Sequence, residues 1–159
     1  MKLSSQEEYG LRCLLQIARA GEGESLTIAE VSEREGISAP NVAKIMRLLR
    51  RAELVRSTRG KAGGYTLSRP ASEVQVLEVV TVLGGRLFDA EFCDRHAGLE
   101  VSCLNTSECS IRPVLRHLQD AVERVLGEFT LQSLLANERD VADTFHPGAV
   151  PLPVLNRLS

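Results

Sequence analysis

The sequence predicts a mostly α-helical fold that carries one small β-hairpin. Three observations predict it. Apolar residues recur at helical spacing in three consecutive N-terminal segments. A glycine-rich break, RSTRGKAGGYTLSR from Arg56 to Arg69, follows them with residues suited to strands on either side. Helical spacing then resumes over about four turns from Ser110.

The first helix is predicted from about Gln6 to Ala20. Ser4 and Glu7 have capping-box spacing, as do Ser5 and Glu8. Leu11, Leu14, Leu15 and Ala18 form its apolar face, and Gly21 and Gly23 end it. Cys13 lies within this apolar helix and reads as a small buried hydrophobe. Thr27 and Glu30 form a second capping box that opens helix two, and Gly36 closes it. Ser38 opens helix three, where Val42, Ile45, Leu48 and Leu49 give the buried stripe. Pro40 is tolerated in the first turn, whose N–H groups lack intrahelical partners.

Helices two and three, joined across Glu35-Gly36-Ile37, form a helix-turn-helix. The second helix of such a pair enters the DNA major groove by its N-terminal end. Here that end presents Ser38, Ala39, Pro40, Asn41 and Lys44. Asn41 suits an adenine edge, and Lys44 a guanine or a phosphate. The hairpin that follows reads as a wing. Ser57, Thr58, Tyr65 and Thr66 fit its strands, Gly63-Gly64 is assigned the positive-φ positions of the turn, and Arg56, Arg59 and Lys61 crowd charge at the tip. The expected DNA-facing set is therefore Ser38, Pro40, Asn41, Lys44, Arg56, Ser57, Arg59, Lys61 and Tyr65.

Charge distribution agrees. The whole chain carries a net −2, yet residues 41–70 hold eight basic residues against Glu53 alone. That block is +7, so the remainder is −9. A polyanion-binding face on an acidic body is the expected consequence. No apolar run approaches a membrane span and no signal peptide is legible, so a cytoplasmic protein without a membrane partner is expected.

Helix four is predicted from about Glu73 to Leu83, opened by Ser72 and ended by Gly84-Gly85. The long helix, Ile111 to Phe129, would measure about 28 Å at ~1.5 Å per residue. Val114, Leu118, Ala121 and Val125 run along it, with Leu115, Val122 and Leu126 beside them. So wide an apolar face exceeds what a small winged domain covers, and a second copy is the simplest partner. Thr130 is placed to cap a short helix over Leu131–Ala136, and the tail after Asn137 reads as irregular. The expected organisation is a winged helix-turn-helix over 1–83, a cysteine segment over 84–110, a dimerisation helix over 111–137 and an irregular tail over 138–159.

Residues between Gly85 and Ser110 show little periodicity, yet contain Cys93, Cys103 and Cys109. Loops of that length without a core are uncommon unless something else organises them. In a reducing compartment, clustered thiols suggest metal or redox chemistry more than disulfides. Zinc and an iron–sulfur cluster are the two metal candidates, and the absence of a C-x2-C pair suits the cluster better. A fourth donor is needed, with His96, Glu108 and His117 nearby and Glu8 remote, from helix one of the same or a partner subunit. Spacing alone assigns Glu8 to a cap and the histidines to the surface. Three other readings compete: a metal-free thiol switch using a Cys103–Cys109 disulfide, an electron carrier, and an enzyme. The basic block argues against a carrier, and no nucleophile–base pair or phosphate loop supports an enzyme.

The RSTRGKAGGYTL wing and the three-cysteine segment before a long helix resemble the Rrf-two family of winged-helix regulators, over roughly residues 1–137. The resemblance implies a homodimer on a pseudo-palindromic operator, with helix three in the major groove and Arg59 in the minor groove. It implies that Cys93, Cys103 and Cys109 ligate an iron–sulfur cluster, [4Fe–4S] or [2Fe–2S]. This chain departs from the family in two places. Its first cysteine gap is longer than the common C-x5-C. Arg112 stands three residues after the last cysteine, where some members have a histidine ligand. A guanidinium does not ligate iron, so the resemblance favours members that use an acidic residue of helix one, here Glu8. It implies regulation by iron, redox state or nitric oxide.

Overall fold

A computed structural model describes residues 4–21, 23–58, 63–89, 91–99, 103, 105 and 108–145. Its elements are α1 (Ser5–Ala20), α2 (Ile28–Glu35), α3 (Ala39–Arg51), β1 (Val55–Thr58), β2 (Gly64–Leu67), α4 (Val76–Gly84), α5 (Phe92–Arg95), α6 (Ile111–Gly127) and α7 (Glu138–Phe145). Single 3-10 turns lie at Ala71–Glu73 and Ser133–Leu135.

Local capping chemistry sets where the first helices start. At α1 the Ser4–Glu7 pair forms the reciprocal box, and Ser4 N donates to Glu7 Oε2 at 2.7 Å. Glu8 is therefore not the capping residue. At α2, Thr27 N donates to Glu30 Oε2 at 2.8 Å, while Glu30 N donates to Thr27 Oγ1 at 3.2 Å. Gly36 closes α2 at φ 65°, a conformation that costs glycine little.

The apolar stripes of these helices meet in one core. Cys13, Leu14 and Ile17 of α1 pack with Val31 of α2 and with Val42, Ile45, Met46 and Leu49 of α3. Leu26, Ile37, Leu54, Val55, Val74, Val79, Leu83 and Leu131 complete it. Each large aliphatic side chain so buried contributes roughly 1.5–3 kcal/mol. Val76, Val80 and Phe129 form a second cluster, against which Leu126, Leu134 and Val141 pack.

The wing is an antiparallel pair in the register Val55↔Leu67, Arg56↔Thr66, Ser57↔Tyr65 and Thr58↔Gly64. Two strands alone are marginal in water. The segment before α2 adds support: Leu26 N donates to Tyr65 O at 3.0 Å and Tyr65 N to Leu26 O at 2.8 Å. This corrects the role of Gly64. It lies in β2 and is not a positive-φ turn residue. A Cβ there would stand 2.6 Å from Leu26 O, so the missing side chain is what lets the two backbones meet.

Four further expectations are revised. Helix four begins at Val76, because Val74 is extended and buried, and its carbonyl accepts from Leu131 N at 2.8 Å. The long helix stops at Gly127 instead of Phe129, whose ring turns into the second cluster while its carbonyl accepts from Val76 N at 3.0 Å. After it, Thr130 and Ser133 bond each other, and one 3-10 turn replaces the short helix expected over Leu131–Ala136. The expected irregular tail contains α7, started by Asn137, whose Oδ1 accepts from Asp140 N at 3.0 Å. Residues 146–159 of that tail lie outside the described residues.

Candidate nucleic-acid interface and cysteine segment

The hydrophobic split of α3 determines what it offers to a partner. Val42, Ile45, Met46 and Leu49 face the core, which leaves Lys44, Arg47, Arg50 and Arg51 exposed. Ser38, Ala39, Pro40 and Asn41 are exposed at its N-terminal end. Ser38 makes no capping bond through its hydroxyl, which is therefore not committed to the helix. On the wing, Arg56, Ser57 and Thr58 are exposed and Tyr65 is half-buried opposite Ser57. Arg59 and Lys61 lie outside the described residues. Arg69 belongs to the basic block by sequence, but it ion-pairs with Glu78 and donates to the Glu73 carbonyl at 3.3 Å. Its charge is thus largely spent inside the fold.

The turn between α2 and α3 is held from α1 by residues that periodicity did not single out. Arg12 Nε donates to Glu35 Oε2 at 2.7 Å, and its Nη2 donates to the Glu35 carbonyl at 2.6 Å. Gln16 donates its amide to the other Glu35 oxygen. Glu8, 56% exposed, lies 3.3 Å from Arg12 Nη1 one turn away.

The cysteine segment has local order that its composition did not announce. Arg95 makes a bidentate pair with Asp89, both contacts 2.9 Å, and this holds the Asp89 carboxyl below its ordinary value. The Phe88 and Phe92 rings lie 5.1 Å apart, and His96 stacks on Phe92 at 4.2 Å. His96 Nδ1 is 2.8 Å from the Phe92 carbonyl. Among the described residues three side chains of α6 hold the segment: Gln119, Arg112 and Glu123, which pairs with Arg86 at 3.1 Å. Gln119, only 7% exposed, accepts from Phe88 N at 3.1 Å, and Arg112 Nη2 donates to Asn105 O at 3.1 Å. Gln119 sits in the middle of a helix read as an apolar seam, so its polar role had no sequence signal beyond being out of pattern.

Cys93 lies on α5, Cys103 in the segment and Cys109 just before α6. All three are half-buried and free of disulfides. Arg112, Arg116 and Asp120 line both the hollow beside Cys93 and the one beside Cys109. Glu108 and His117, both exposed, border the Cys109 hollow. Among the described residues no three His, Cys, Asp or Glu side chains are gathered into a metal-sized group. Cys93, Cys103, Cys109 and Glu8 are thus not assembled within this subunit. The donor set nevertheless fits a soft metal centre in its chemistry: three unpaired, accessible thiols on one segment flanked by guanidinium groups. Metal binding commonly draws such a segment together. Cys13 is separate, being fully buried, with its thiol pushed up to about 11 by desolvation.

A family model described as Rrf2, iron-dependent transcriptional regulator, matches residues 3–137. The chain belongs to the Rrf2 family. It is a transcriptional regulator and not an enzyme. This Rrf2-family chain is 34% identical to Protein rrf2 of Nitratidesulfovibrio vulgaris over 135 residues, which is 85% of this chain and 87% of that one. It is 32% identical to the HTH-type transcriptional regulator IscR of Cronobacter sakazakii over 148 residues, 92% and 88% of the two chains. Its fold is similar to that of CymR, the global cysteine regulator of B. subtilis, with a TM-score of 0.67 and 26% identity over 85% of this chain and 96% of that one. The winged-helix architecture read from the wing and the helix-turn-helix is thereby shown. Among the described residues no helix is long and apolar enough to cross a membrane.

Proposed function

We propose that this Rrf2-family regulator acts in the cytoplasm as a homodimer on a pseudo-palindromic DNA operator. Its DNA affinity is set by an iron–sulfur cluster that reports iron, redox state or nitric oxide. The observation that carries this reading is the set of three free, half-buried thiols on a segment hydrogen-bonded to α6. The outer stripe of α6 is apolar and uncovered: Ile111 is 63% exposed and Val114 66%, with Leu118 and Val125 also exposed. A second copy of the helix covers such a seam.

On DNA, Ser38, Pro40, Asn41 and Lys44 approach the major groove, while Arg56, Ser57, Arg59, Lys61 and Tyr65 form the wing contact. Cys93, Cys103 and Cys109 hold the cluster, and its fourth position falls to one of Glu8, His96, Glu108 and His117. When bound, the cluster supplies an iron centre reactive toward oxidants and nitric oxide. The remaining steps belong to the chain itself. Gln119 and Arg112 tie the segment to α6, and α6 sets how two subunits pair. That pairing sets the spacing of the two α3 helices against the DNA period. A difference of about 1–3 kcal/mol between segment states gives roughly 5–150-fold in affinity.

The test is anaerobic purification with an absorbance spectrum and iron and sulfide counts, followed by operator binding with and without the cluster. Equal affinity in both states defeats the proposal. A second reading has its own support, since no three metal donors converge among the described residues. In it, oxidation joins Cys103 and Cys109 without metal. Iron-free protein that still responds to peroxide would select it.

A further inference from the structure

Resting on the cluster reading above, we propose that His96, through Nε2, supplies the fourth ligand beside Cys93, Cys103 and Cys109. The argument begins with the ring's hydrogen bond. A carbonyl only accepts, so the 2.8 Å contact to Phe92 O requires the proton on Nδ1. Nε2 then carries the free lone pair. Ligating histidines are commonly fixed in this way, with the far ring nitrogen donating to a carbonyl. Such a ligand binds as neutral imidazole, with its lone pair forming the bond to iron and no proton released.

Orientation is fixed as well. The ring stacks on Phe92 at 4.2 Å, and Phe92 in turn packs on Phe88 at 5.1 Å. Phe88 is bonded to Gln119, and the Asp89–Arg95 pair braces the same turn. The ordering cost of a ligand on this platform is therefore met before metal arrives. His96 also follows Cys93 by one turn, its N–H donating to the Cys93 carbonyl at 3.3 Å. Residues three apart share a face of a helical turn.

The rival donors lack these properties. Glu8 is paired with Arg12 on α1. His117 is exposed on α6 as His96 is on its own turn, but among the described residues no hydrogen bond fixes the His117 ring. Glu108 precedes α6, and among the described residues no hydrogen bond orients its carboxylate.

The experiment uses the full chain labelled with 15N-histidine, loaded anaerobically with ferrous iron and sulfide, counted for both, then reduced and examined by pulsed electron paramagnetic resonance. The expected result is a histidine nitrogen coupled to the cluster spin. The coupling persists in Glu8→Gln and in the His117→Ala/His146→Ala double variant, and it vanishes in His96→Ala. The chain has three histidines, so the double variant assigns the nitrogen to His96 even if His96→Ala fails to hold a cluster. A cluster without histidine nitrogen, or a coupling that survives His96→Ala, overturns this proposal alone. Failure of the wild-type chain to bind iron and sulfide overturns it together with the cluster reading.

Discussion

Arg12 grips Glu35 at two points, side chain and backbone, with contacts of 2.7 and 2.6 Å. Glu35 is the last residue of α2, so this grip fixes α1 to the turn of the helix-turn-helix. The Glu35 side chain is 10% exposed, and without Arg12 its carboxylate keeps, among the described residues, the Gln16 amide alone. Arg12→Ala should cost about 1–2 kcal/mol, reduced from a fully buried pair because Arg12 itself is 38% exposed. Arg12→Lys should not restore the loss, because an ammonium cannot reproduce the two-point geometry. Urea midpoints of the three proteins check this; equal midpoints would show the grip to be inert.

Thiol reactivity should divide the cysteines. Burial raises the Cys13 thiol to about 11, so at pH 8 it is protonated and shielded. Metal-free native protein should take three alkyl groups, on Cys93, Cys103 and Cys109, and a fourth only in denaturant. Peptide mass spectrometry reads the sites. Modification of Cys13 at the rate of the others would contradict the packing of α1.

Acid should loosen the segment around α5 before the core. Hydrogen bonding to Arg95 lowers the Asp89 carboxyl, and a lowered folded value means stabilisation is present above the unfolded value. It is lost as pH falls through the folded one. NMR titration should place Asp89 below ordinary aspartates, and Arg95→Ala should return it upward. An unchanged midpoint in that variant would remove the ion pair as the cause.

Asn41→Ala and Lys44→Ala should fail in different ways. Loss of a base contact at Asn41 should cost about 1–3 kcal/mol and relax sequence preference. Loss of a phosphate contact at Lys44 should weaken all sequences alike and reduce the salt slope by about one. Binding to operator and scrambled duplexes over a salt series separates the two. Identical profiles would mean that α3 does not enter the groove as assigned.

Leu118 lies in the uncovered stripe of α6 and outside both core clusters. Leu118→Glu should leave the winged domain folded and drive a dimer toward monomer in analytical ultracentrifugation. Operator affinity should fall with it, since one half-site contact replaces two. A variant that stays dimeric would move the interface elsewhere.

What could be read from the sequence was what is decided within a few residues. The Thr27–Glu30 box, the Gly36 stop and the stripe Val42, Ile45 and Leu49 depend on spacings of three or four, and the folded chain uses each of them. Gly64 was legible as necessary but not for its reason, because its constraint comes from Leu26, far back in the chain. The start of α7 was readable in Asn137 and Asp140, but the prolines and glycine after it dominated the reading of the tail. Arg12 and Glu35 lie 23 residues apart on separate helices, and no local pattern pairs them. For the cysteine segment, count and spacing pointed to metal or redox chemistry. The bonds from Gln119 to Phe88 and from Arg112 to Asn105 did not show, because they exist only once α6 lies against the segment.

The backbone bonds from Val76 to Phe129 and from Leu131 to Val74 weld the root of α6 to the start of α4. Gly10, with no side chain, lets α1 press directly against Leu83 of α4. A tilt of the long helix would therefore be felt at the start of α4 and, through Leu83, along α1, so that travel at the cysteine end would reach the winged body as an angle.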